Sequence, residues 1–174
     1  RMTNSKDVGQ YGGSSMSFSF WQGTLKLSIA PLKVVSGQDY PMPDREHEVS
    51  AYLKHTKANI LAKEIRKFMA GEIQSTGITT GAQTFITISD GSEFGLTQPV
   101  VCIRKLNKDL SAVEEEILFI CRTDFHFAVH NFDVEKFDGD KDFESYKNMD
   151  LEDLAVVLEE YAKSMTNAQA YAVH

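Results

Sequence analysis

Two cysteines in 174 residues are too few for a disulfide framework. Cys102 and Cys121 both sit inside apolar, strand-like runs and read as reduced core thiols, not metal ligands. No apolar run approaches the roughly 20 residues of a membrane span. No basic leader followed by an apolar stretch is visible either. A cytoplasmic protein without a membrane partner is expected. Enzyme motifs are scarce as well. Gly12-Gly13 is not followed by a phosphate-loop pattern. Asp138-Gly-Asp-Lys-Asp142 opens like a calcium loop, but Phe143 stands where that loop needs glycine and Met149 where it needs glutamate. His126 and His130 share a strand face, yet four residues at about 3.3 Å each separate them by about 13 Å, too far for one metal. No cysteine stands at a spacing from a histidine that suggests a nucleophile pair, and His55 reads as a surface residue at a helix start. No catalytic residue, metal or cofactor is expected.

Net positive charge is also lacking: 18 basic against 25 acidic residues give −7, which at first argues against nucleic acid. The distribution changes that. Residues 133–160 hold eleven acidic and three basic residues, whereas the remainder holds 15 basic and 14 acidic. The acidity is thus concentrated near the C-terminus, and the region before it is close to neutral. The acidic run reads as a solvated surface, or as a segment that competes with DNA or recruits protein partners.

The hairpin pattern is strong. In Ser14 to Ile29, apolar and polar residues alternate on both sides of Gln22-Gly23, the period of half-buried strands. With Gln22-Gly23 as a two-residue turn, Trp21 faces Thr24, Phe20 faces Leu25 and Ser19 faces Lys26. One face then gathers Met16, Phe18, Phe20, Leu25, Leu27 and Ile29 as core. The other carries Ser17, Ser19, Trp21, Thr24, Lys26 and Ser28, so the only tryptophan lies among small polar residues and a lysine.

Residues 1–15 are rich in Gly, Ser, Asn and Gln and are expected to be disordered. The first unit, 16–71, reads as strands 16–21 and 24–32, a loop 33–48, a strand 47–54 and a helix 56–71. Thr56 is its expected N-cap, Gly71 its stop, and Ile60, Leu61, Ile65, Phe68 and Met69 its apolar stripe. A polar linker 72–83 leads to a second unit, 84–165. This reads as strands 84–89 and 93–105 around Asp90-Gly91, strands 116–122 and 124–131, and a helix 151–165 with Asp150 at its N-cap. A tail 166–174 follows. Strands then helix, twice over, indicate an α+β fold in which helices cover one face of antiparallel sheets. The open polar face collects Trp21, Lys26, Tyr52, Lys54, Arg104, Arg122, His126 and His130.

The strand pair Phe18-Ser-Phe-Trp-Gln-Gly-Thr-Leu-Lys-Leu-Ser-Ile29, with Glu48-Val-Ser-Ala-Tyr-Leu-Lys-His-Thr56 running into the helix to Phe68, resembles the single-stranded DNA-binding transcriptional coactivators. That family comprises positive cofactor four, the duplicated plant Whirly proteins and phage relatives. The resemblance covers 14–71 well and 83–165 as a repeat of the plan. It implies a sheet surface that binds unpaired DNA and helices that form a homodimer. The family's aromatic and lysine contacts fall on Trp21, Lys26, Tyr52 and Lys54. The long loop 33–48 and the negative charge depart from the family pattern. The acidic C-terminal half suits a phage or bacterial replication protein better than a eukaryotic coactivator.

The expected function is therefore sequence-independent binding of single-stranded DNA in replication, recombination or transcription, with proteins of those pathways as further partners. Trp21 and Tyr52 would stack on bases. Lys26, Lys54, Arg104 and Arg122 would meet phosphates, and Ser17, Ser19 and Thr24 would add hydrogen bonds that read no sequence. His126 joins the face by its strand position. Four alternatives stay open: Trp21 covering a loop or a subunit interface, a protein adaptor acting through 133–160, a duplex or RNA binder using the same sheet and, behind these, a small-molecule enzyme.

Overall fold

The computed structural model describes residues 2–4, 12–122, 126–129, 143–146 and 148–172, with side chains over 12–122 and 148–168. Its strands are β1 (Met2–Asn4), β2 (Ser14–Trp21), β3 (Thr24–Lys33), β4 (Met42–Pro43), β5 (Val49–Leu53), β6 (Ser75–Thr79), β7 (Thr84–Ser89), β8 (Val100–Leu106), β9 (Val113–Ile120), β10 (His126–Val129) and β11 (Phe143–Tyr146). Helix α1 (His55–Met69) follows β5 and helix α2 (Met149–Ala172) follows β11. The first antiparallel sheet runs β1-β2-β3-β5, with β4 on the far end of β3; the second runs β6-β7-β8-β9; β10 and β11 form a separate ribbon. Over the described residues the fold is α+β: two larger antiparallel sheets, a two-stranded ribbon and two α-helices. Among the described residues, no helix is long and apolar enough to cross a membrane.

The first hairpin follows its sequence pattern. Gln22 (φ 49°) and Gly23 (φ 76°) both take positive φ, the turn whose twist matches paired strands. Trp21 pairs with Thr24, Phe20 with Leu25 and Ser19 with Lys26. Met16, Leu25, Leu27 and Ile29 are fully buried, and β5 adds Val49, Ala51 and Leu53 to the same face. Phe20 shares that parity but lies at the hairpin tip, beyond the core, where its ring meets Tyr161 of α2 at 5.8 Å. The Tyr161 hydroxyl donates to the Gly23 carbonyl at 2.7 Å, so α2 holds the turn.

Helix α1 buries Ala58, Leu61, Ala62 and Ile65. Ile60, expected in the stripe, is exposed, because at 3.6 residues per turn it lies about 100° from Leu61. The N-cap is Lys54, two residues before the expected Thr56. Gly71 (φ 78°) ends the helix, with its N–H on the Phe68 carbonyl and that of Glu72 on Lys67. From the second sheet, Ile86, Ile88, Val101, Ile103 and Phe119 join Leu151, Leu154, Ala155 and Leu158 of α2 in the same core. Arg66 of α1 binds Glu152 (3.1 Å) and Glu159 of α2 along the rim. Burial pushes the Cys102 thiol up to about 12, as befits a packing residue.

Several elements differ from expectation. The linker 72–83 contains β6, an edge strand of Ser, Thr, Gly and one Ile whose polar pattern hides it. Asp90-Gly91 is not a two-residue hairpin turn. Asp90 Oδ1 accepts from the Ser92 N–H (2.9 Å) and hydroxyl (2.7 Å), which starts a 3-10 turn at Ser92–Phe94. Strand β8 therefore begins at Val100, not at 93, and Phe94 and Leu96 cover Val100, Cys102, Leu118 and Ile120 on the outer face. Met2–Asn4, within the segment expected to be disordered, pairs with Ser14–Met16. The Asp- and Lys-rich loop contains β11, and α2 runs to Ala172, through most of the expected tail.

Gly91 has φ 86°, and a Cβ there would stand 2.3 Å from the Gln98 carbonyl oxygen. Gly91→Ala is expected to lower unfolding stability by about 1–3 kcal/mol in chemical denaturation, with far-UV dichroism preserved. A variant as stable as the parent would contradict this turn geometry.

Candidate nucleic-acid interface

Strand alternation turns Ser17 and Ser19 of β2, Lys26 and Ser28 of β3, and Ser50 and Tyr52 of β5 onto one outer face. Register sets them in rows: Ser17 beside Ser28 beside Ser50, and Ser19 beside Lys26 beside Tyr52. Trp21 and Thr24 close the face at the hairpin end. Trp21 is 58% and Tyr52 44% exposed, and their ring centroids lie 6.2 Å apart at 62°. An edge-on pair leaves a ring face uncovered for a third π-system.

Strand β5 passes into α1 without a loop, so Lys54 and the first helical turn stand directly beside Tyr52. They line an open cleft of about 590 Å3 together with Trp21, Lys57 and Thr80. The Lys57 ammonium donates to the Thr79 carbonyl and to its Oγ1 (3.2 Å), which ties α1 to the end of β6. Thr80 Oγ1 is buried without a hydrogen-bond partner among the described residues. Buried hydroxyls are ordinarily satisfied, so this one has capacity for water or a ligand. Among the described residues no side chain caps the N-terminus of α1, and its first turn holds no acidic residue. The positive helix end therefore adds to the two lysines instead of being neutralised locally.

Away from the cleft, the 33–48 loop folds back on the same face as a 3-10 turn at Arg45–His47. Asp44 accepts from Lys33 at 3.4 Å and from His47 Nδ1 at 2.6 Å, and the His47 bond and Lys33 hold its carboxyl below the usual range despite burial. Lys26 lies 3.6 Å from Glu48.

The structure thus brings Ser17, Ser19, Trp21, Lys26 and Tyr52 onto one face with Lys54 at its end. Arg104 lies instead on the outer face of the second sheet. It donates to Glu116 and Glu93, both at 2.6 Å, and its guanidinium stands 5.3 Å from the Phe94 ring centre. Arg122 follows β9 and grips the buried Asp150 of α2 at 2.7 Å. Neither arginine extends the first-sheet face. His126 pairs through its backbone with Tyr146 in the β10–β11 ribbon; its side chain, and all of His130, lie outside the described residues. Lys57, Thr80 and Gly81 are cleft residues that sequence reasoning misses. The β-branched run Ile78-Thr-Thr80 is the signal that could have revealed them.

No family model, curated protein or solved structure matches the chain.

Proposed function

We propose that this protein binds single-stranded DNA without sequence preference, at the hairpin end of its first sheet, in support of replication, recombination or transcription. The observation that carries the reading is the exposed Trp21–Tyr52 pair sharing a cleft with Lys54 and Lys57. Unpaired nucleic acid offers bases for stacking and phosphates for cations in that same alternation. Trp21 and Tyr52 take bases, while Lys54, Lys57 and the uncapped end of α1 meet phosphates. A duplex hides its base faces and cannot use the aromatic pair. In this reading the fold is of the coactivator and Whirly kind, and the protein works as a homodimer. The exposed Ile60 and Val156 give its helices apolar contacts for a second copy.

The test is competition. Oligo-dT, its hybrid with oligo-dA, and oligo-U of the same length compete for the protein against labelled oligo-dT. The reading predicts that unpaired oligomers displace the label and that the duplex displaces it at much higher concentration. A duplex that competes as well as the single strand would overturn it. Oligo-U well ahead of oligo-dT would make the protein an RNA binder.

A further inference from the structure

We propose that Glu48 is a built-in competitor for phosphate, which closes the Ser17–Lys26 part of the first-sheet face and confines nucleic acid to the Trp21 end. The inference rests on the single-strand reading and adds to it what sets the footprint. Three donors converge on this carboxylate. Arg45 Nη1 lies 2.5 Å from Oε2, the Ser50 hydroxyl 3.4 Å from Oε1, and Lys26 Nζ 3.6 Å from Oε1. Two cations and a hydroxyl around one anionic group are also the donor set that holds a phosphate. Burial works against the ionised form of Glu48. The Arg45 hydrogen bond and charge and the Lys26 charge overcome it, and the carboxyl is held below its ordinary value.

The carboxylate is fixed from both sides. Val49, the next residue, begins β5 and pairs with Ile29. On the loop side, the Asp44 N–H donates to the Pro31 carbonyl at 2.7 Å, and Arg45 also reaches Ser17 Oγ at 3.4 Å. Glu48 is thus seated on the face, its side chain 15% exposed, while Arg45 remains 52% exposed. A strand leaving the cleft along the sheet meets this carboxylate at the Lys26 row. Lys26 then attracts no phosphate until Glu48 yields, so the lysine at the centre of the face contributes little to binding in the native protein.

Glu48→Gln keeps the size and removes the charge, and its single amide oxygen can still accept from Arg45 or from Ser50. Two oligo-dT lengths separate the outcomes: about 4 nucleotides, enough for the cleft, and about 16, enough to cross the sheet. Glu48→Gln is expected to bind the longer oligomer at least about fivefold more tightly at low salt. Its log–log salt slope should steepen by about 0.7 for each newly contacted phosphate. Affinity for the shorter oligomer should not change. Lys26→Met should be near neutral in the parent and should abolish the gain in the Glu48→Gln background. Unchanged affinity and slope for the longer oligomer would overturn the inference and leave the single-strand reading standing. A marked loss from Lys26→Met in the parent would also overturn it. If neither the parent nor Glu48→Gln binds either oligomer, the single-strand reading fails and this inference falls with it.

Discussion

Trp21→Ala is expected to weaken oligo-dT binding by roughly 5- to 150-fold, the equivalent of about 1–3 kcal/mol of stacking on one base. The ring is 58% exposed and contacts Tyr52 edge-on, so its loss should cost less than about 1 kcal/mol of folding stability. Binding and stability are thereby separated. Trp21→Phe, with a smaller π-face, should fall between parent and alanine. Denaturation midpoints measured beside the binding isotherms check both halves. Parent-like affinity in Trp21→Ala would remove the stacking role. A coincident change in sedimentation would then place the indole in a subunit contact.

The second large effect concerns stability. Asp150 is 1% exposed. Its carboxylate accepts from the Arg122 backbone N–H at 2.8 Å and from the Arg122 guanidinium at 2.7 Å and 3.2 Å. These bonds fasten the start of α2 to the end of β9. Asp150→Ala removes all of them and strands a part-buried N–H, an expected loss of about 3 kcal/mol. Chemical denaturation of the pure variant measures it. Arg122→Ala should also destabilise, because it leaves a buried carboxylate without its cation, yet it should leave the salt slope of oligo-dT binding unaltered. A flattened slope in Arg122→Ala would return this arginine to the phosphate-binding set; a loss under 1 kcal/mol in Asp150→Ala would contradict the anchor.

Arg122 shows where sequence reading stops. Its charge and its place at the end of a strand are visible in the chain, but the carboxylate that claims it lies 28 residues away. The same holds for Arg104, whose partners Glu93 and Glu116 come from a turn and from the neighbouring strand. An isolated cation in a polar pattern reads as available, and only tertiary pairing decides whether it is. The first hairpin is legible because its information is local. Period-2 alternation fixes both faces, and Gln22-Gly23 fixes the register that sets Lys26 beside Ser19. The α+β class is legible for the same reason, through the change of period from strand to helix.

The site was half legible. Trp21, Tyr52 and Lys54 stand out as aromatic and basic residues in strand parity, whereas the rest of the cleft lining comes largely from the start of α1 and the residues just after β6. Strand β6 is concealed because an exposed edge strand needs few apolar residues, so hydrophobic period carries no signal there. Asp90-Gly91 misled in the opposite way. The dipeptide is a strong hairpin signal, but Phe94 and Leu96 are needed as a cover for the outer face of the second sheet, and the chain detours to supply it. Loop 33–48 reads as irregular from its prolines and glycine, and nothing local shows that the Glu48 carboxylate turns onto Lys26.

The most direct test of the central claim is a titration of end-labelled oligo-dT at two salt concentrations, following label anisotropy together with the emission of Trp21, the only tryptophan in the chain. Saturable binding is expected, weaker at the higher salt, with tryptophan quenching on the same isotherm as the label. Absence of binding at low salt, or binding that leaves the emission of Trp21 unchanged, would contradict it.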